Sequence, residues 1–125
     1  MEYKVIIQGR LIGLNEYIAA ERANRYKAAK MKRENEAIVM IAIKQQLKNV
    51  KIEKPVYMEY TWVEKNKRRD LDNITFGRKI VQDSLVKAGI LKNDGWKYIL
   101  GFSDRFEVEQ ENPRIEVVIK EVEKN

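Results

Sequence analysis

The chain contains neither histidine nor cysteine. The first absence removes histidine-based triads, histidine-ligated zinc and a histidine general base. The second removes disulfides and thiolate metal sites, and is compatible with a reducing compartment. Any hydrolytic chemistry must therefore use carboxylates, lysine, tyrosine, or a metal held by oxygen ligands. Long apolar runs are missing too. No stretch approaches the roughly 18 residues of a membrane span. Met1 to Gly9 lacks the apolar segment of a signal peptide, so the chain is expected to be cytoplasmic, with no membrane partner.

What remains is a basic chain of 125 residues, with 25 Lys and Arg against 19 Asp and Glu and a formal net charge of +6. That length suits one domain burying about two-thirds of its surface. The charge suggests an anionic partner, nucleic acid before membrane surface.

Apolar patterning predicts a strand over Tyr3–Gln8, a long uninterrupted helix over about Asn24–Leu47, and a strand over Val56–Val63 opened by Pro55. Asn15 and Tyr17 fall in the loop between the first two. In the long helix, Ala37, Ile38, Ile41 and Leu47 lie near one stripe, which would face the core. Its first half carries Arg22, Arg25, Lys27, Lys30, Lys32 and Arg33, which as a charge run also suits a solvated face. A second helix is expected over Ile74–Ala88, with Gly89 as its terminator. After a loop over Ile90–Gly95, two strands follow, about Tyr98–Val108 and Arg114–Val122, joined at Asn112-Pro113. The order β-α-β-α-β-β predicts a single α/β (α+β) domain over residues 1–125, with two main helices on a mixed sheet. Tyr57, Tyr60, Trp62 and Phe106 are expected in the core. Trp96, beside Asp94, is the aromatic that the pattern leaves open between core and base stacking.

The chemistry concentrates in one segment. Lys65, Lys67, Arg68 and Arg69 run directly into Asp70-Leu71-Asp72-Asn73. Carboxylates two residues apart on extended backbone share a side. Their repulsion is relieved by a cation between them. Mg²⁺ suits such a place, because it prefers oxygen ligands and is often held by one or two carboxylates plus substrate phosphate. Asp-x-Asp at a helix start also serves as a cap, which is the structural alternative. At about 100° per residue, Lys79 and Asp83 return to the azimuth of Asp72 if one helix runs through all three, and Lys79 and Asp83 form an i,i+4 pair. Asp94 follows in the next loop, and could join Asp70 if the chain folds back toward the helix N-terminus. Basic residues position phosphates, and acids hold a metal against them. In that scheme Lys79 stabilises charge building on the phosphate.

The run Arg68-Arg69-Asp70-Leu71-Asp72-Asn73, then Lys79, Asp83-Ser84-Leu85, Lys87-Ala88-Gly89 and Asp94, resembles the RusA-like Holliday-junction resolvases of phages and bacteria. The opening strand, the Asn15-x-Tyr17 loop and the charged helix are similar as well. The resemblance implies a homodimeric endonuclease that cuts four-way DNA junctions with Mg²⁺ or Mn²⁺. By position it assigns Asp70, Asp72 and Asp94 as metal-binding catalytic acids and Lys79 as the catalytic lysine. Asp83 and Asn93 become accessory residues, and Asn15, Lys65, Lys67, Arg68 and Arg69 DNA contacts. Three departures stand out. The terminal acidic pair is Asn93-Asp94, so Asn93 brings an oxygen but no charge. Asp72 and Lys79 are about one helical turn further apart, some 5 Å along an axis. Arg10-Leu11-Ile12-Gly13-Leu14 replaces a proline-rich turn. A dimer has its own motive, since two opposed nicks need two sites and each chain carries one acidic cluster. Two other readings remain: a non-catalytic DNA-binding module that keeps only the basic surface, and a nuclease for flaps or forks.

Overall fold

Large apolar and polar residues alternate along Val56–Thr61, the greater part of one of the two interior strands of the sheet. Met58, Tyr60 and Trp62 point to one side and are fully buried, while Glu59 and Thr61 point to the other. In the computed structural model, which describes residues 1–123, the elements are β1 (Glu2–Gln8), α1 (Leu14–Ala23), α2 (Arg25–Gln46), β2 (Val56–Glu64), α3 (Leu71–Thr75), α4 (Gly77–Lys87), β3 (Ile99–Val108) and β4 (Arg114–Glu121). The strands form one sheet in the order β1-β4-β2-β3. β4 is antiparallel to β1 and β2, whereas β2 and β3 are parallel. Parallel neighbours need a crossover connection, supplied by α3 and α4. The expected mixed α+β domain is therefore present: α2 matches the expected helix over about Asn24–Leu47, α1 precedes it, and the second expected helix is divided at Phe76.

The additional helix α1 changes the N-terminal half. Asn15 and Tyr17 lie within α1 rather than in a loop. Asn24 ends α1 in an extended conformation and caps α2, its side chain accepting from Tyr26 N–H at 2.8 Å. The expected core stripe of α2 is also displaced. Ala28, Val39, Ala42 and Ile43 face the core, while Ala37 is exposed and Ile38 and Ile41 are 47% and 59% exposed. Residues 37–43 are apolar all round, so periodicity could not choose the face; packing against β1 and α4 did. Tyr57 is likewise not core. It lies on the open sheet face against Gly101.

That open face is a lattice of charge. Lys4 and Arg114 both reach Glu116, at 3.4 and 2.7 Å, and Lys120 reaches Glu59 at 3.2 Å. The helices cover the other face. α4 ends in a Schellman motif: Gly89 adopts φ +77°, its N–H bonds Val86 O at 3.0 Å, and Ile90 N–H bonds Leu85 O at 3.0 Å. α3 and α4 meet at Phe76, a helical residue (φ −53°, ψ −30°) whose ring stacks on Tyr17 of α1 at 5.0 Å.

Gly77, just beyond, lies against the indole of Trp62. A Cβ there would sit 2.9 Å from Cζ3. Trp62 cannot yield readily, since it is buried and its indole N–H donates to Asp104 at 2.8 Å. Gly77→Ala is therefore expected to destabilise the fold by about 1–3 kcal/mol despite alanine's better helix propensity. Urea denaturation, with near-ultraviolet dichroism following the Trp62 environment, measures this.

The two sheet edges differ. At the β1 edge the Gln46 amide acts as a partner strand in miniature, accepting from Ile6 N–H at 2.7 Å and donating to Ile6 O at 2.8 Å. The β3 edge has no such cover among the described residues, and it carries exposed Leu100, Phe102 and Val108.

Candidate active site

The Asp70–Asn73 segment is held from both ends. Arg69, immediately before it, has a side chain only 10% exposed. Its guanidinium forms a forked pair with Glu64 at the end of β2, Nε to Oε1 at 3.0 Å and Nη2 to Oε2 at 2.8 Å. Nη1 adds a bond to Leu11 O at 3.0 Å, which ties in the loop before α1. On the other side, Asn73 Oδ1 accepts from Asn15 N–H at 2.9 Å. Gly13 makes that approach feasible, since a Cβ on it would fall 2.3 Å from Asn73 Oδ1. Arg69 is thus a clamp rather than the expected DNA contact, its fork being spent on a carboxylate.

Between these anchors two carboxylates stay free. Asp70 occupies the N-cap position of α3, yet its side chain makes no capping hydrogen bond, and Asp72 follows in the first turn. Capping therefore does not account for Asp70. The aspartates divide into two groups. Asp83 is engaged by Lys32 at 3.2 Å and Lys79 at 3.5 Å, and Asp104 by Arg78 at 3.0 Å. Asp70, Asp72 and Asp94 are exposed and have no cationic partner among the described residues.

Two concavities flank the α3–α4 junction. The larger, about 540 Å³, is lined by Lys67, Asp70, Leu71 and Ile74 together with Phe106 and Val108 of β3. The smaller, about 260 Å³, brings Asp94 beside Lys79 and Asp83, with Thr75, Phe76 and Phe102. The chain after α4 thus folds back to the junction, as a joint site requires. It does not close a triad. Among the described residues no three carboxylates are gathered closely enough to hold a metal ion. The expected convergence of Asp70, Asp72 and Asp94 is absent from the single chain. The reason lies in β3: Phe102 and Phe106, one at each concavity, are about 13 Å apart at 3.3 Å per residue. The donor set itself is all oxygen and suits a hard divalent cation.

The expected stripe of Asp72, Lys79 and Asp83 also changes. It assumed one helix, but the break at Phe76 leaves Asp72 on α3. Lys79 and Asp83 remain paired on α4 at 3.5 Å. Asn93 Oδ1 accepts from Gly95 N–H at 2.7 Å and shapes the turn carrying Asp94. Lys65, Lys67 and Arg68 are exposed on the β2–α3 loop, and Asn15 is exposed at the start of α1. Tyr60 on β2 is buried. Burial pushes its phenol far up, and it accepts from Gln82 Nε2 at 3.0 Å.

A family model described as Endodeoxyribonuclease RusA matches residues 13–120. The chain belongs to the RusA endodeoxyribonuclease family. No curated protein matches it significantly. The matched region spans α1 to β4, so both concavities and every candidate acid lie inside the RusA match. Several residues that build this site carry no motif of their own: Glu64, Arg78, Phe102 and Asp104. One signal was present. Phe102, Asp104 and Phe106 alternate onto one face of β3, and an acid in an apolar row needs a partner. That partner is Arg78, whose guanidinium also lies 4.2 Å from the Phe102 ring centroid.

Proposed function

We propose that this RusA-family chain is a divalent-metal-dependent endonuclease that resolves four-way DNA junctions by paired phosphodiester hydrolysis, in recombination and repair in the cytoplasm. The observation that carries the reading is the free state of Asp70 and Asp72. Their neighbours are locked by buried or short bonds, yet the two carboxylates beside a basic loop are left unspent. Unpaired anions kept adjacent are costly unless a cation joins them in the working state. Asp70 and Asp72 are the residues that would hold the ion, Mg²⁺ or Mn²⁺, while Asp94 faces the same junction from the smaller concavity. When bound, the ion supplies an activated water and neutralises phosphoryl charge. Lys65, Lys67 and Arg68 grip backbone phosphates, Asn15 borders the same surface, and Lys79 answers charge that develops on the cut phosphate. Asp83 positions Lys79 from one turn away. One RusA-like domain over residues 1–125 contains all of these.

A homodimer completes the reading. Exposed Leu100, Phe102 and Val108 on β3, whose edge is uncovered among the described residues, are of the kind that natural sheets cover. A second copy supplies the second active site for the opposed nick.

That no three acids gather among the described residues favours a second reading, a DNA-binding module without cleavage. A synthetic four-way junction, a flap and a plain duplex incubated with Mg²⁺, and with EDTA, separate the two. Paired nicks in the junction that vanish with EDTA support resolution. Preferential cutting of the flap moves the substrate but keeps the nuclease. Salt-sensitive binding with no metal-dependent nick leaves only the module.

A further inference from the structure

Trp96 is the most exposed large apolar side chain among the described residues, at 96%. It lies on the turn Asn93–Tyr98, which is not loose: Gly95 N–H is bonded to Asn93 Oδ1 at 2.7 Å, and Gly95 O accepts from Tyr98 and Ile99 N–H, both at 3.0 Å. An indole held fully in water on a built turn contributes nothing to the core. Its surroundings are specific. Asp94, two residues before, opens onto the concavity shared with Arg78 and Lys79, and Lys92 and Lys97 stand exposed on the same segment. A flat aromatic among cations, next to a free carboxylate, is the chemistry that single-stranded nucleic acid uses, with cations on the phosphates and the ring on a base face.

We propose that Trp96 stacks on a nucleobase unpaired or unstacked at the branch point, and so makes this site prefer branched DNA over duplex. The inference rests on the nuclease reading for its substrate class but not on the metal or on cleavage. A continuous duplex offers no free base face, so Trp96 adds little there, whereas the lysines serve both substrates equally. Discrimination thus comes from the indole and general affinity from the charge.

The molecule provides its own probe, because its other tryptophan, Trp62, is 1% exposed and bonded to Asp104. Emission that acrylamide quenches in the free protein comes from Trp96. Titration with a synthetic four-way junction, in EDTA so that nothing is cut, is expected to change that emission and shield it from acrylamide. A duplex of the same sequences is expected to leave it accessible. Trp96→Ala is expected to lower the junction-to-duplex affinity ratio by about tenfold with duplex binding unchanged, and Trp96→Phe to retain most of the preference while abolishing the emission change. Three results overturn the proposal: an unchanged ratio in Trp96→Ala, equal shielding by duplex, or a Trp96 already shielded in the free protein, which would give the ring to a second copy. Cleavage is scored separately with Mg²⁺. Junction-selective stacking without any cleavage removes the nuclease reading and keeps this one, and cleavage with an indifferent Trp96→Ala does the reverse. A chain that binds no DNA overturns both.

Discussion

Asp70→Asn and Asp72→Asn are each expected to bind a four-way junction at least as tightly as the parent chain and to cut it at least about a hundredfold more slowly. The substitution keeps size and shape and removes one negative charge from a side chain with no cationic partner among the described residues. No ion pair in the fold is broken, so the folded state should be undisturbed. Repulsion from phosphate falls, which is why binding holds or improves. What is lost is the anionic oxygen that a divalent ion and its water require. Asp104→Asn is the contrasting control among the aspartates. Its carboxylate takes the Trp62 N–H and Arg78, so it should lose stability before cleavage chemistry. Gel assays of binding in EDTA and of cleavage in Mg²⁺ measure the two effects apart. Full cleavage by both Asp70→Asn and Asp72→Asn would remove this segment as the catalytic centre.

Arg69→Ala is expected to cost about 3–5 kcal/mol of folding stability, because it leaves Glu64 buried without its partner. Both side chains are nearly closed off, at 10% and 11% exposure, so solvent screening offers little relief. The loss reaches beyond the pair, since Arg69 also holds Leu11 O and thereby the loop that leads to Gly13 and the Asn15–Asn73 bond. The double variant Arg69→Met with Glu64→Leu should recover most of the stability, since well-packed apolar residues often equal a buried ion pair. It should not recover full cleavage, because the fork sets where Asp70 begins. Urea melts of the three proteins decide this. A single Arg69→Ala as stable as the parent would return Arg69 to the role of a solvent-facing DNA contact.

Much of the site was legible before the fold. The strands over Val56–Val63 and Arg114–Val122, the Gly89 terminator and the i,i+4 pair of Lys79 with Asp83 follow from spacings of a few residues, which local geometry governs. Asp70 and Asp72 stand out as an acidic pair directly after a basic run in a chain without histidine or cysteine, and Asp94 by its place in the RusA-like pattern. The differences share a physical origin. Arg10–Leu14 reads as irregular, whereas the helix begins at Leu14, where Gly13 admits the Asn73 side chain. Residues 37–43 are apolar on every side, so the pattern does not choose the α2 face. Lys65, Lys67, Arg68 and Arg69 are near neighbours of one sign, and charge alone does not show which one is buried.

By itself the sequence determined which chemistry is open to this protein, an oxygen-ligand, carboxylate-centred site next to a basic loop, because composition and short-range spacing are properties of the chain. Only the tertiary structure decided which charges are spent and which are free. It placed Arg69 under Glu64, Asp83 under two lysines and Asp104 under Arg78, left Asp70, Asp72 and Asp94 open, and set the first and last of these at two concavities along β3. Long-range partners are chosen by packing and burial, and a charge's availability depends on what the fold brings against it.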